Sequence, residues 1–125
     1  MPNSPLIAII DDDASVRKGL ASLLRVEGFD VQTFGSANEF LGEPSGAVPD
    51  CVLTDIQMPG MSGLDLQKRL RIASPGLPVI VMTALPDRSL RDRAMSAGAA
   101  SYFEKPFDEN ELVRVIREFV GKGEC

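Results

Sequence analysis

Cys51-Val52-Leu53-Thr54-Asp55-Ile56-Gln57-Met58-Pro59-Gly60-Met61-Ser62-Gly63 decides the fold. An apolar run ends in one carboxylate, Asp55, and Pro59, Gly60 and Gly63 then interrupt any regular element. The stretch reads as a buried strand over 51–55 whose last residue projects from the edge of a sheet into a loop. A carboxylate there costs solvation free energy unless a cation or a reaction uses it. The rest of the chain is therefore read for what Asp55 works with.

Working outward, the same grammar recurs. Leu6-Ile7-Ala8-Ile9-Ile10 is a continuous apolar run ending in Asp11-Asp12-Asp13, a pattern of strands buried on both faces. Ala14 to Glu27 turns helical, with Val16, Leu20, Leu23 and Leu24 inward, Arg17, Lys18 and Arg25 outward, and Gly28 as its stop. Asp12 or Asp13 is placed to cap it. A second strand is expected over 29–34, a short helix over 36–41 and a loop at Gly42-Glu43-Pro44-Ser45-Gly46. A helix over 62–72, with Leu64 and Leu70 inward, stops at Pro75-Gly76. A strand follows over 78–82, ending at Thr83. The next helix spans 87–97 and the fifth strand 100–103. The last helix opens at Asp108, buries Leu112, Val115, Ile116 and Phe119, and stops at Gly121. Alternating strands and helices imply an α/β, doubly wound fold: a parallel sheet covered on both faces. Right-handed crossovers place every strand's carboxyl end on one edge. The 125 residues are expected to form one domain with its core over about 5–120, and 121–125 are expected to be a tail or the start of a linker.

Composition narrows the chemistry. The net charge is −5 with a pI near 4.7, and Lys and Arg nowhere cluster with aromatics. That argues against a nucleic-acid surface on this domain. No apolar run is long enough to span a bilayer and the N-terminus lacks signal-peptide character, so a cytoplasmic location is expected. Of the two cysteines, Cys51 reads as buried filler, and a disulfide to Cys125 is not expected. There is no histidine. This removes Ser-His-Asp and Cys-His catalysis, histidine metal sites and any phosphohistidine step within the chain.

Ligands of open α/β sheets bind beyond the carboxyl ends of the strands, where strand order switches. The residues there are Asp11, Asp12, Asp55, Thr83 and Lys105. Carboxylates this close repel one another unless a cation intervenes. A hard divalent ion such as Mg²⁺ fits, because it takes few carboxylates and keeps room for phosphate oxygens. Lys105 supplies a point charge suited to phosphate and Thr83 a hydroxyl donor. Together they could hold a phosphoryl group, with Asp55 as the nucleophile that forms an aspartyl-phosphate. Each part has a plainer reading on its own: a helix cap for the acids, a strand-end threonine, a surface lysine. Their occurrence at four strand ends outweighs those readings.

Ile10-Asp11-Asp12-Asp13, Thr54-Asp55-Ile56-Gln57-Met58-Pro59-Gly60-Met61-Ser62-Gly63, Met82-Thr83-Ala84 and Glu104-Lys105-Pro106-Phe107 together resemble a response-regulator receiver domain (CheY-like) over essentially the whole chain. Ser15-Val16-Arg17-Lys18-Gly19-Leu20 and Lys105-Pro106-Phe107 are similar to the FixJ-like branch. The resemblance implies a (βα)5 flavodoxin-like sheet of order 2-1-3-4-5. It implies that Asp55 is the phosphoacceptor and that Asp11, Asp12, Asp55 and the backbone carbonyl of Gln57 hold Mg²⁺, with Mn²⁺ as a substitute. Thr83 and Lys105 would contact the phosphoryl group, Tyr102 would be the aromatic switch, and Lys105-Pro106 would be cis. Implied partners are a sensor histidine kinase or histidine phosphotransfer protein. A homodimer or docking surface is implied on the fourth helix, fifth strand and fifth helix, which Arg88, Arg91, Arg93, Arg114 and Arg117 could line instead of forming a solvated face. The resemblance implies no enzyme beyond self-catalysed phosphotransfer and dephosphorylation, and it leans toward a transcriptional regulator with a further DNA-binding module. Pro86 departs from the pattern and is expected to stiffen the loop after Thr83.

Two other functions compete. In a haloacid-dehalogenase-like phosphatase, Asp11 would be the nucleophile and Asp13 the acid, which leaves Asp55 without a role. A pseudo-receiver would only bind partners, yet no site residue is missing.

Overall fold

A computed structural model describes residues 4–43, 48–85 and 87–120. The order is β1 (Leu6–Ile10), α1 (Ala14–Val26), β2 (Asp30–Phe34), α2 (Ala37–Leu41), β3 (Cys51–Asp55), α3 (Gly63–Ala73), β4 (Val79–Thr83), α4 (Arg88–Ser96), β5 (Ser101–Glu104) and α5 (Glu109–Val120). All strand pairs are parallel and the sheet order is β2-β1-β3-β4-β5. The α/β, doubly wound expectation and the 2-1-3-4-5 order both hold. The loop residues 44–46, Pro86, the stop at Gly121 and Cys125 lie outside the described residues.

Alternation along the strands builds two cores. Ile7, Ile9, Leu53, Ile80 and Met82 face Leu20, Leu24, Leu112 and Ile116 of α1 and α5. Ala8, Ile10, Val52 and Val81 face Leu64, Leu66, Leu70 and Ala94 of α3 and α4. Each fully buried aliphatic side chain contributes about 1.5–3 kcal/mol relative to exposure, so β1, β3 and β4 are pinned from both faces. Register follows, and with it the depth at which each strand ends.

Side-chain caps start the helices where the sequence places them. Asp13, not Asp12, caps α1, accepting from Ser15 N and Val16 N. Ser36, Ser62 and Asp87 cap α2, α3 and α4. Each such cap is worth about 1 kcal/mol. Cys51 is fully buried, and burial followed by the charge of Asp50 pushes its thiol up to about 12, which makes it inert filler. Among the described residues no helix is long and apolar enough to cross a membrane.

Two side-chain expectations are corrected. Phe119 does not anchor α5: it is 47% exposed, and Val113 and Val120 complete the buried stripe instead. It sits on the flank of that stripe in the last turn, where the core offers nothing to cover it. Arg114 and Arg117 are exposed, as a solvated face requires, but they border Glu27 at the end of α1 and do not line the α4–β5–α5 surface. Arg117 donates to the Glu27 carbonyl and carboxylate and lies 5.5 Å over the Phe29 ring, so it points toward the end of α1. Arg114 pairs with Glu111 and Glu118 along α5.

Candidate functional site at the carboxyl edge of the sheet

The chain leaves β1 toward β2 on one side and returns to β3 on the other. The crevice between the ends of β1 and β3 is thus the switch point of the sheet. Asp11 lies there, fully buried, with its backbone N donating to the Phe34 carbonyl just past the strand. Asp13 N donates to Asp11 Oδ1 at 2.9 Å, and Lys105 Nζ donates to Asp11 Oδ2 at 2.8 Å. Arg17 is not turned outward as expected. Its Nη1 donates to the Asp11 carbonyl at 2.7 Å, so the first turn of α1 is tied to the strand end.

Asp55 ends β3 with 6% of its surface exposed. Its Oδ1 is buried with no hydrogen bond, and Lys105 Nζ stands 3.6 Å away. Carboxylate oxygens of Asp11, Asp12 and Asp55 lie within 4.8 Å of one another. Three acids and one lysine leave the cluster short of positive charge, and the pKa values record it. Burial, then the charge of Asp11, raise the Asp55 carboxyl to about 6; Lys105 pulls the other way and Asp12 adds to the rise. For Lys105, burial works against the ammonium. The hydrogen bond to Asp11 and the charges of Asp55 and Asp11 outweigh it and hold its pKa above the usual lysine value. An orphaned buried oxygen among three convergent carboxylates is the donor set of a hard, oxygen-seeking cation.

The Asp55 shift has a signed consequence. Its folded value lies above the unfolded value of 3.8, so the folded chain holds the proton more tightly. The stability this contributes is complete below pH 3.8 and is lost as pH rises through about 6. With divalent ions chelated, the wild type should lose up to about 1 kcal/mol relative to Asp55→Asn between pH 5 and 7, after solvent screening. Paired thermal melts check it; identical slopes for the two proteins would contradict it.

Thr83, fully buried, ends β4. Its hydroxyl donates to Gln57 Oε1 at 2.7 Å, with the Leu85 carbonyl a longer second acceptor at 3.2 Å, and accepts from Leu85 N at 2.9 Å. The sequence pointed to the Gln57 backbone carbonyl and not to this side-chain bond, for which spacing carries no signal. Lys105 follows β5; its N donates to the Thr83 carbonyl at 2.7 Å, and its bond to Pro106 is cis, as the resemblance implied. Tyr102, on β5, packs against the core shared by α3 and α4. Its hydroxyl is shielded from solvent and faces the Asp87 amide without a hydrogen bond of normal geometry. Burial, then the charge of Glu104, raise its pKa. Gly63 also went unrecognised as a site residue: a Cβ there would lie 2.2 Å from the Asp55 carbonyl oxygen.

The structure therefore gathers Asp11, Asp12, Asp55, Thr83 and Lys105 in one crevice, with Gln57 beside Thr83 and Tyr102 behind. Asp13 stands apart. Its carboxylate caps α1, and both oxygens of Asp11 are already bonded, so the nucleophile and acid of the phosphatase reading are not supported.

Comparison with known proteins agrees. A family model described as the response regulator receiver domain matches residues 7–117. The transcriptional regulatory protein FixJ of Azorhizobium caulinodans is 41% identical over 122 residues, 98% of this chain and 58% of that protein. The response regulator protein TodT of Pseudomonas putida is 39% identical over 112 residues, 90% of this chain and 49% of that protein. The chain thus spans about half the length of the curated relatives it matches. The crystal structure of FixJ-N superposes with a TM-score of 0.85 at 33% identity, covering 100% of this chain and 99% of the other. A CheY-like receiver domain from Methanospirillum hungatei gives 0.89 at 27% identity, covering 96% of each chain. Phosphorylation and Mg²⁺ binding at an acidic pocket are general properties of this family, whose members are signal-transduction modules. With its sheet order, its acidic crevice and these matches in agreement, the chain belongs to the response regulator receiver domain family.

Proposed function

We propose that this chain is a phospho-switch in which Asp55 accepts a phosphoryl group. One observation carries the reading: Asp55 Oδ1 is buried and unbonded beside two further carboxylates and one lysine. Asp11, Asp12, Asp55 and the Gln57 carbonyl would hold Mg²⁺, which when bound neutralises charge on the acids and on a phosphoryl group. The chain has no histidine, so the donor is another molecule: the phosphohistidine of a sensor kinase or phosphotransfer protein. An Asp55 carboxylate oxygen attacks phosphorus, the bond to the donor imidazolium, already protonated on its other ring nitrogen, breaks, and neutral imidazole leaves. Lys105, freed from Asp11 and Asp55, and the Thr83 hydroxyl then receive phosphoryl oxygens. Tyr102 repacks as Thr83 moves, and hydrolysis of the acyl phosphate resets the site. The two states differ by little and the phosphoryl group biases them.

The chain serves as the receiver module of a longer transcriptional regulator, a reading supported by the length of its relatives. Its output surface is the α4–β5–α5 face, where Arg88 and Arg91 are exposed. The test is acetyl phosphate with Mg²⁺. Wild type should take up phosphate only with the metal, and Asp55→Asn should take up none. Uptake by Asp55→Asn would overturn the assignment.

A further inference from the structure

The Thr83 hydroxyl has one proton to donate, and in this structure Gln57 Oε1 takes it at 2.7 Å. Asp55 Oδ1 stays without a hydrogen bond. The donor that would serve a phosphoryl oxygen is thus engaged two residues past Asp55, on the loop leaving β3. We infer that the Gln57 side chain is a latch: it holds Thr83 in the resting arrangement and sets how strongly the site must be occupied before the switch moves. The inference rests on the phospho-switch reading.

The physics is a competition for one proton. Thr83 is fully buried, so a hydroxyl that leaves Gln57 has only the longer, 3.2 Å contact to the Leu85 carbonyl and no water to fall back on. Gln57 is only half-buried and borders a groove lined by Met58, Leu64, Leu90 and Arg93, so its amide can be resolvated once released. The bond therefore favours the resting state and is exchanged for the phosphoryl contact in the active one. A ligand that needs Thr83 free binds with its affinity reduced by the fraction of molecules in which Thr83 is free. Removing the acceptor raises that fraction. Gln57 is a positioning residue, acting through Thr83.

Two readouts test it. Beryllofluoride with saturating Mg²⁺ serves as the phosphoryl mimic. Tyr102 is the only tyrosine and there is no tryptophan, so intrinsic fluorescence reports its packing directly. In Gln57→Met, of similar size without the acceptor, the beryllofluoride midpoint should fall about three- to tenfold. In the divalent-free protein the Thr83 methyl resonance should shift from its wild-type position in Gln57→Met. It should stay near that position in Gln57→Glu, which keeps an acceptor of the same reach. An unmoved methyl, or a midpoint unchanged or raised, overturns the latch. If the methyl moves as expected but beryllofluoride binds no variant, the latch stands as a contact of the resting fold and the phospho-switch reading falls.

Discussion

Gly63→Ala should lose a large part of the stability of the domain. The added Cβ would sit 2.2 Å from the Asp55 carbonyl oxygen and 2.9 Å from its carbonyl carbon, and both are backbone atoms at the end of a fully buried strand. No rotamer relieves this. Either the start of α3 moves away, breaking the Gly63 N to Ile56 carbonyl bond at 2.9 Å, or the end of β3 moves and carries Asp55 with it. Overpacking against backbone costs about 3 kcal/mol or more. At roughly 4–8 °C per kcal/mol, the melting midpoint should drop by more than about 10 °C. Calorimetry checks this, and a drop under about 3 °C would show that the α3 junction yields far more easily than its packing indicates. Gly60, with its φ of 78°, faces nothing nearer than 3.9 Å. Gly60→Asn, a residue that tolerates that φ, should cost under about 1 kcal/mol.

Lys105→Ala has the second largest expected effect, and it depends on divalent ions. Lys105 is the cation that bonds Asp11 at 2.8 Å and stands 3.6 Å from Asp55. Asp11 is wholly buried, so removing the lysine leaves a carboxylate without its counter-charge. Breaking a buried pair this way costs about 3–5 kcal/mol, and less here because Lys105 is partly exposed; about 2–3 kcal/mol is expected. Mg²⁺ should recover most of the loss if the acidic cluster binds it. Urea titrations with chelator and with millimolar Mg²⁺ separate the two contributions. Equal losses under both conditions would show that the metal does not neutralise these carboxylates.

Much of the fold was legible because three of the strands announce their own ends. Leu6–Ile10, Cys51–Asp55 and Val79–Thr83 are apolar runs closed by a polar residue, and continuous apolar strands demand a sheet covered on both sides. The site followed from topology, since three carboxylates, a hydroxyl and an ammonium at strand ends must meet on one edge. What escaped the sequence depends on direction within an element rather than on its period. Phe119 fits the helical repeat of α5 but falls in a last turn with no core beside it. Arg17 reads as an outward cation, yet its length lets it reach back to the Asp11 carbonyl. Gln57 and Gly63 act through contacts from the β3–α3 segment to the strand ends at Thr83 and Asp55, and only the register of β3 against β4 and α3 fixes those distances. Arg117 shows a similar limit: helical spacing gives its exposed face without saying that it reaches Glu27 and Phe29.

The central claim is that Asp55 is the residue that carries the phosphoryl group. The direct measurement is to phosphorylate the chain with acetyl phosphate and Mg²⁺, trap the acyl phosphate with borohydride, and locate the modified aspartate by peptide mass spectrometry. Label confined to Asp55 is the expected result. Label on Asp11, with Asp55 unmodified, would contradict it and restore the phosphatase reading.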